Sequence, residues 1–474
     1  MGGTAGSDFD SDMTFSTSAT VATAQTYSGP TTISNNAVVT SGINNALPTN
    51  TMLNLRETTG NTTGSFNLAG FTQTLAGIAA WGSGTENAIT STASGAQLYV
   101  NVASGTDSYS GELIGSLSMF KEGAGTLDLT GTGNNYSGAT TVDAGTLQLG
   151  ASGALPTATS LALGSGATFD LQSYSQQITS LTSASSTASV TGTGGTLTVA
   201  PTVAGTSEFA GGLHGSIQLA FNGVSGSGEL LSGTSDYSGT TNVNSGALIV
   251  NGALAGAGGA VTVNSGAGNP GVLSGVGSIG RNVTIAGDGT LSHNAVLAPG
   301  SSLPDVATPN NTHVAGLLDI AGSLTVSGTY LWDLVSVGTA SGATGVAGTD
   351  YDQVALGGHA LNLVTVSGQA PVIELNLAGG AVPTATDFWK ATEIWNVVTG
   401  LTGTPGGGSS FAIDYAQSNS WSSLGAFSVG YSGGSEQLVW TPTAVPEPGT
   451  LLLGTLAALG LGARGWRRRC VLKK

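Results

Sequence analysis

Ser432 stands in the string Gly430-Tyr431-Ser432-Gly433-Gly434, the spacing at which a serine hydrolase presents its nucleophile. That chemistry needs a sharp strand-to-helix turn, a histidine base and an acid that orients it. The flanks Phe427–Ser432 and Ser435–Trp440 alternate instead like two strands, so Gly433-Gly434 reads as a hairpin turn. The four histidines, His214, His293, His313 and His359, stand alone with no patterned acid beside them. Gly275-Val276-Gly277-Ser278-Ile279-Gly280 satisfies the dinucleotide fingerprint as a string. A strand-like Arg281-Asn282-Val283-Thr284-Ile285 follows it, which leaves no helix N-terminus for a pyrophosphate. Asp350 and Asp352 form the nearest acidic pair. They sit in a turn, where aspartate caps the strand that follows. No Cys/His spacing suits a metal, and no calcium-binding Gly/Asp nonapeptide occurs. The residues therefore assign no catalytic group, no metal and no cofactor, and the chain reads as a non-enzyme.

What must be positioned, then, is surface, and composition says how. Of 474 residues 77 are glycine, only 8% are charged and 39% are hydrophobic. Little charge and frequent glycine, with ample Val, Leu and Ile, describe many short strands separated by turns. Before Arg464 there are four basic residues, Arg56, Lys121, Arg281 and Lys390, against all 26 acidic ones, a formal charge of −22. Such a body repels nucleic acid and anionic lipid, and nucleic acid is excluded as a partner. The single cysteine, Cys470, rules out a disulfide within the chain, so stability rests on hydrogen bonds and stacked apolar side chains.

A seven-residue phrase recurs: Tyr27-Ser28-Gly29-Pro30-Thr31-Thr32-Ile33, Tyr136-Ser137-Gly138-Ala139-Thr140-Thr141-Val142 and Tyr237-Ser238-Gly239-Thr240-Thr241-Asn242-Val243. A partial copy stands at Tyr109-Ser110-Gly111. Around the phrase, Gly125-Thr126-Leu127-Asp128-Leu129 and Gly145-Thr146-Leu147-Gln148-Leu149 alternate with period two. Each strand is too short to bury anything alone, but stacked in register the leucines make one continuous internal stripe. The paired threonines are expected to ladder on neighbouring rungs. This succession resembles the autotransporter-associated β-strand repeat, closely over 121–150 and well over 225–250. The resemblance implies a right-handed parallel β-helix on a bacterial surface.

The C-terminus carries a second pattern. Pro446-Glu447-Pro448 precedes an uncharged run, 450–463, containing Leu451, Leu452, Leu453, Leu456, Leu459 and Leu461. Arg464, Arg467, Arg468 and Arg469 close it. As a helix the run spans about 21 Å, short of the ~30 Å hydrocarbon core unless its flanks contribute. The expectation is a transmembrane helix with the arginines cytoplasmic and the body outside. Proline-Glu-proline, apolar run and arginine cluster together resemble the PEP-CTERM sorting signal of exported proteins in Gram-negative bacteria. The resemblance implies an exosortase as processing partner, and transient anchoring in the inner membrane before release to the cell surface or the extracellular space. It also implies a signal peptide. Met1–Asp8 has neither a basic nor an apolar region, so the start is expected to lie upstream or to have been processed.

The fold expected is all-β: a right-handed parallel β-helix with a β-rich C-terminal cap and a single C-terminal transmembrane helix. Its parts are an incomplete or poorly ordered segment 1–26, repeats 27–300, a cap 301–441 of wider antiparallel strands, a linker 442–449, the helix 450–463 and a basic cytoplasmic tail 464–474. The function expected is a structural component of the cell surface or extracellular matrix. The alternative is an adhesin or polysaccharide-binding module gripping its ligand with cap tryptophans such as Trp389 and Trp421. A glycan-cleaving β-helix enzyme ranks behind both.

Overall fold

The computed structural model describes residues 12–443 apart from 57–62, 82–86, 257, 301–313, 338–344, 378–380, 382, 385–387 and 416–421. The chain coils as a right-handed β-solenoid. One rung runs through the strands Thr241–Val250 and Ala253–Leu254, and the next through Val261–Val263, Gly271–Gly275 and Ser278–Ile279. Equivalent strands pair parallel and in register: Thr241 with Val261 and then Val261 with Val283, Leu248 with Leu273, and Leu254 with Ile279. In-register stacking satisfies every strand amide through the rung above or below. It also sets like side chains on like. Leu127, Leu147, Phe169 and Val190 form one fully buried column, while their neighbours Thr126, Thr146, Thr168 and Ser189 face outward.

Corners are made where side chains would collide. At Gly138 an added Cβ would lie 2.5 Å from the Leu117 carbonyl oxygen, and at Gly239 2.1 Å from that of Ile217. Only glycine admits such close approach of one rung to the next.

Parallel stacking runs further than the sequence suggests. Strands begin at Met13–Phe15, and Tyr330–Leu334 and Leu361–Leu363, expected to be antiparallel, pair parallel with 372–377 and 324–326. Their alternation is compatible with either pairing, and the preceding rungs supply a parallel template. Antiparallel strand pairing among the described residues is confined to the end: the hairpin 425–432/435–442, whose second strand also pairs with 393–401. The turn has both central residues at positive φ, Gly433 at 59° and Gly434 at 77°. That conformation matches the twist of a two-residue hairpin, and it places Ser432 in the hairpin rather than on a strand-to-helix elbow. Trp440 of the hairpin and Trp332, Trp389 and Trp395 are all buried.

The transmembrane helix is a correction. Among the described residues no helix is long and apolar enough to cross a membrane, and their helical pieces are the single turns Leu291–His293 and Phe388–Lys390. Residues 444–474, with Pro446, Glu447, Pro448 and the leucines and arginines read as an anchor, lie outside the described residues. The physical ground is length: 450–463 falls short of the hydrocarbon thickness. The architecture is therefore an all-β solenoid with a β-rich cap, and inner-membrane anchoring through a helix is withdrawn.

One carboxylate interrupts the internal stripe. Glu229 stands in register with Leu248 and is 1% exposed. Burial pushes its carboxyl up to about 8, against smaller opposing hydrogen bonds from Ser207 and the Leu181 backbone. Between the ordinary value of 4.5 and about 8 the folded chain keeps a proton that the unfolded chain has lost. Stability therefore falls as pH rises across that window. Melting temperature measured from pH 4.5 to 8.5 should decline in the wild type and decline less in Glu229→Gln; parallel curves for the two proteins would refute the assignment.

Candidate functional site

The repeated phrase closes a hydroxyl relay inside the solenoid. Tyr27, Tyr136 and Tyr237 are buried, and each hydroxyl lies 2.5 Å from the threonine hydroxyl four positions on, Thr31, Thr140 and Thr241. In the first two copies the relay continues to the next rung. Thr31 meets Thr51 at 2.9 Å and Thr140 meets Thr159 at 3.0 Å. Thr51 and Thr159 then donate to the carbonyls of Gly29 and Gly138, the glycine of each phrase. A buried tyrosine hydroxyl left unpaired would cost about 1–3 kcal/mol, so tyrosine and threonine must recur together. Burial pushes Tyr136 and Tyr237 above the ordinary phenol value, the threonine hydrogen bonds opposing.

The third copy solves the same problem differently. Val261 stands in register with Thr241. Arg281, 3% exposed, donates to the carbonyls of Tyr237 and Gly239 and lies 4.2 Å over the Tyr237 ring. Lys121 acts comparably, donating to the carbonyls of Glu122, Gly123 and Ala144. Burial lowers its ammonium to about 8, against opposing attraction from Asp107 and Glu122. Two of the four cations of the body thus hold corner carbonyls rather than a ligand.

Of the phrase residues, Ser137 and Ser238 are exposed at the corner, and Thr141 faces outward. The expected Thr–Thr ladder forms in part. The first threonine of the pair turns inward and meets a threonine of the next rung, Thr31 with Thr51 and Thr140 with Thr159; of the second threonines, Thr32 stands in register with Thr14, whereas Thr141 has Phe120 and Ala162 as neighbours. A threonine column stands elsewhere, through Thr262, Thr284 and Thr325. The partial copy keeps a buried tyrosine, but Tyr109 donates to the Glu112 carbonyl at 3.1 Å.

The chemistry-bearing residues stay apart. The histidines are less solitary than the chain order implies: His214 Nδ1 lies 2.6 Å from Asp236 and His293 Nδ1 2.9 Å from Asp288. The first pair bridges adjacent rungs, which only the rung length reveals. Both pairs are solvent-facing, and among the described residues no hydrogen bond joins either ring to a serine. Asp350 accepts from the Val346 amide, closing its turn. Asp352 is fully buried, accepting from the Gly316 and Asp333 amides, and burial next to Asp333 holds its carboxyl well above the usual range. Among the described residues no group of three His, Cys, Asp or Glu could hold a metal ion. After Gly275 the fingerprint string leads into the short strand Ser278–Ile279, with no helix.

The cap tryptophans are also corrected. Trp389 packs against Trp440 with ring centroids 5.2 Å apart, and Trp332 against Trp395 at 5.8 Å. The Trp440 indole donates to the Trp389 carbonyl and that of Trp332 to the Asp352 carbonyl. These rings are core and present no face to a polysaccharide; Trp421 lies outside the described residues.

Comparison with known proteins agrees with this scaffold. Residues 119–149 and 225–250 match the passenger-associated-transport-repeat, and 444–469 match the PEP-CTERM protein-sorting motif. The chain is therefore an exported β-solenoid repeat protein carrying a PEP-CTERM sorting signal. Both matches are to structural and sorting elements. A stretch of 151 residues, 31% of the chain, is 36% identical to the adhesin BmaC autotransporter of Brucella suis biovar 1 (strain 1330). That stretch spans 4% of the adhesin's length.

Tyr136→Phe should lower unfolding free energy by about 1 kcal/mol. Adding Thr140→Val should cost less than the sum of the single changes, because both act on one relay. Denaturant melts of the four proteins in the cycle check this, and strict additivity would contradict the relay.

Proposed function

We propose that the protein is a surface adhesin: an elongated solenoid, sorted through its C-terminal signal, that attaches the cell to an external surface by its lateral faces. The observation that carries this is the 36% identity to a stretch of an adhesin, in a chain whose repeats match passenger repeats. What supports it physically is the division of labour along each rung. Outward columns such as Thr126-Thr146-Thr168-Ser189 and Thr262-Thr284-Thr325 run along the stack, at a spacing of about 4.8 Å per rung. A purely structural role in the matrix uses the same fold, and attachment measurements separate the two.

Sorting is proposed to depend on Pro446, Glu447 and Pro448, recognised by an exosortase; the motif match supports exosortase processing. The strand 435–442 ends two residues before that match begins.

Deleting the gene should reduce attachment of cells to a coated surface several-fold, and externally added purified protein should compete with wild-type attachment. Unchanged attachment would sink the adhesin reading. Replacing Pro446 and Pro448 by alanine should leave the full-length chain unprocessed in exosortase-bearing membranes, seen as a larger band on immunoblots; normal processing would refute the motif's role.

A further inference from the structure

We infer that the outer face around Tyr99 and Phe120 is a binding site for an uncharged polysaccharide, held by a stacked aromatic pair between polar columns. The inference rests on the adhesin reading and assigns it a place and a ligand class.

The two rings stand on successive rungs, in register, at 4.4 Å between centroids and 12° from parallel. Their strand neighbours Leu98 and Met119 turn into the core and are fully buried, so Tyr99 and Phe120 point outward. Both are partly exposed and belong to neither apolar cluster of the interior. The cap's aromatic residues, by contrast, are mostly consumed in packing. Above Tyr99 the register partner is Thr74, and below Phe120 it is Thr141. Threonine is too short to cover a ring, so each end of the stack offers part of an aromatic face along the solenoid axis. The apolar C–H face of a pyranose packs on such a shelf.

Hydrogen-bonding groups lie beside the rings. Gln97 and Ser118 form the adjacent outward column in register with each other. The Gln97 carbonyl oxygen receives only long contacts, from Thr72 at 3.4 Å and Tyr99 at 3.5 Å. No described partner takes its amide N–H groups, which remain available to sugar hydroxyls. Rungs repeat every ~4.8 Å, so Gln97 and Ser118 present polar groups about one rung apart beside the rings.

Charge selects the class. The rings and the four polar neighbours named here are uncharged, Glu122 borders the patch, and the body carries −22 before Arg464. Anionic polysaccharides are repelled, while hydroxyl-rich neutral ones are not.

The test uses the full chain with a soluble neutral β-glucan, a soluble mannan and, as anionic comparison, alginate, each read by affinity electrophoresis and calorimetry. The wild type should bind at least one neutral polymer and not alginate. Tyr99→Ala/Phe120→Ala should weaken that binding about tenfold. Tyr431→Ala, an exposed aromatic of the terminal hairpin, should bind as wild type. Melting curves establish that the double variant is folded, and the single variants Tyr99→Leu and Phe120→Leu serve if it is not. Binding equal to wild type in the folded variants, or no neutral polymer bound by the wild type, overturns the inference. Cell attachment measured alongside keeps the two readings apart: a wild type that attaches without binding a neutral glycan removes this site and leaves the adhesin, whereas a wild type that neither binds nor attaches removes both.

Discussion

Every rung of this protein depends on hydrogen bonds to the rung before it in one register. A slip by a single residue would turn the column Leu127-Leu147-Phe169 to water and the column Thr126-Thr146-Thr168 inward. The apolar columns that the same register stacks supply the rest of the stability. The chain has no disulfide within it, and the ion pairs seen among the described residues are two exposed histidine–aspartate contacts. The recurring phrase is best understood as a register lock. Its tyrosine, threonine and glycine are fixed by one another's hydroxyls and carbonyls, so a misaligned rung leaves buried polar atoms unpaired.

Much of this was legible in the sequence because the repeat itself encodes it. Leucines two apart and glycines at corners report a stacked strand without any knowledge of its partners. The inward turn of Thr140 was not legible, since Thr140-Thr141 looks symmetrical until the tyrosine four residues earlier is seen beneath the sheet. Arg281 gave no signal either. Its role is set by Tyr237 and Gly239, which lie more than forty residues away. His214 and Asp236 come together because the spacing between them is one turn of the solenoid, a period that varies along the chain. The tryptophans misled for a different reason. Clustering of large aromatics suits both a ligand platform and the plug that closes a solenoid, and only burial distinguishes them. Tyr99 and Phe120 were passed over because neither belongs to the phrase and nothing in the local sequence says that one sits upon the other.

The buried charges divide into two kinds. Arg281 and Lys121 satisfy carbonyls at corners, where a cation replaces hydrogen bonds that the main chain cannot make. Glu229, Asp352 and Glu436 are carboxylic acids in apolar surroundings, all pushed upward by burial. The proton that burial favours on these three groups lowers the charge the interior has to hold, and at Asp352 the neighbouring Asp333 pushes the same way.

The hairpin at the end of the solenoid has a mechanical meaning. Its last strand, 435–442, is bonded on both sides, to 393–401 and to 425–432. Tension applied along that strand would be borne by two rows of hydrogen bonds in shear, loaded together instead of opened one after another. The rungs beyond would let go only after that double-sided grip had failed.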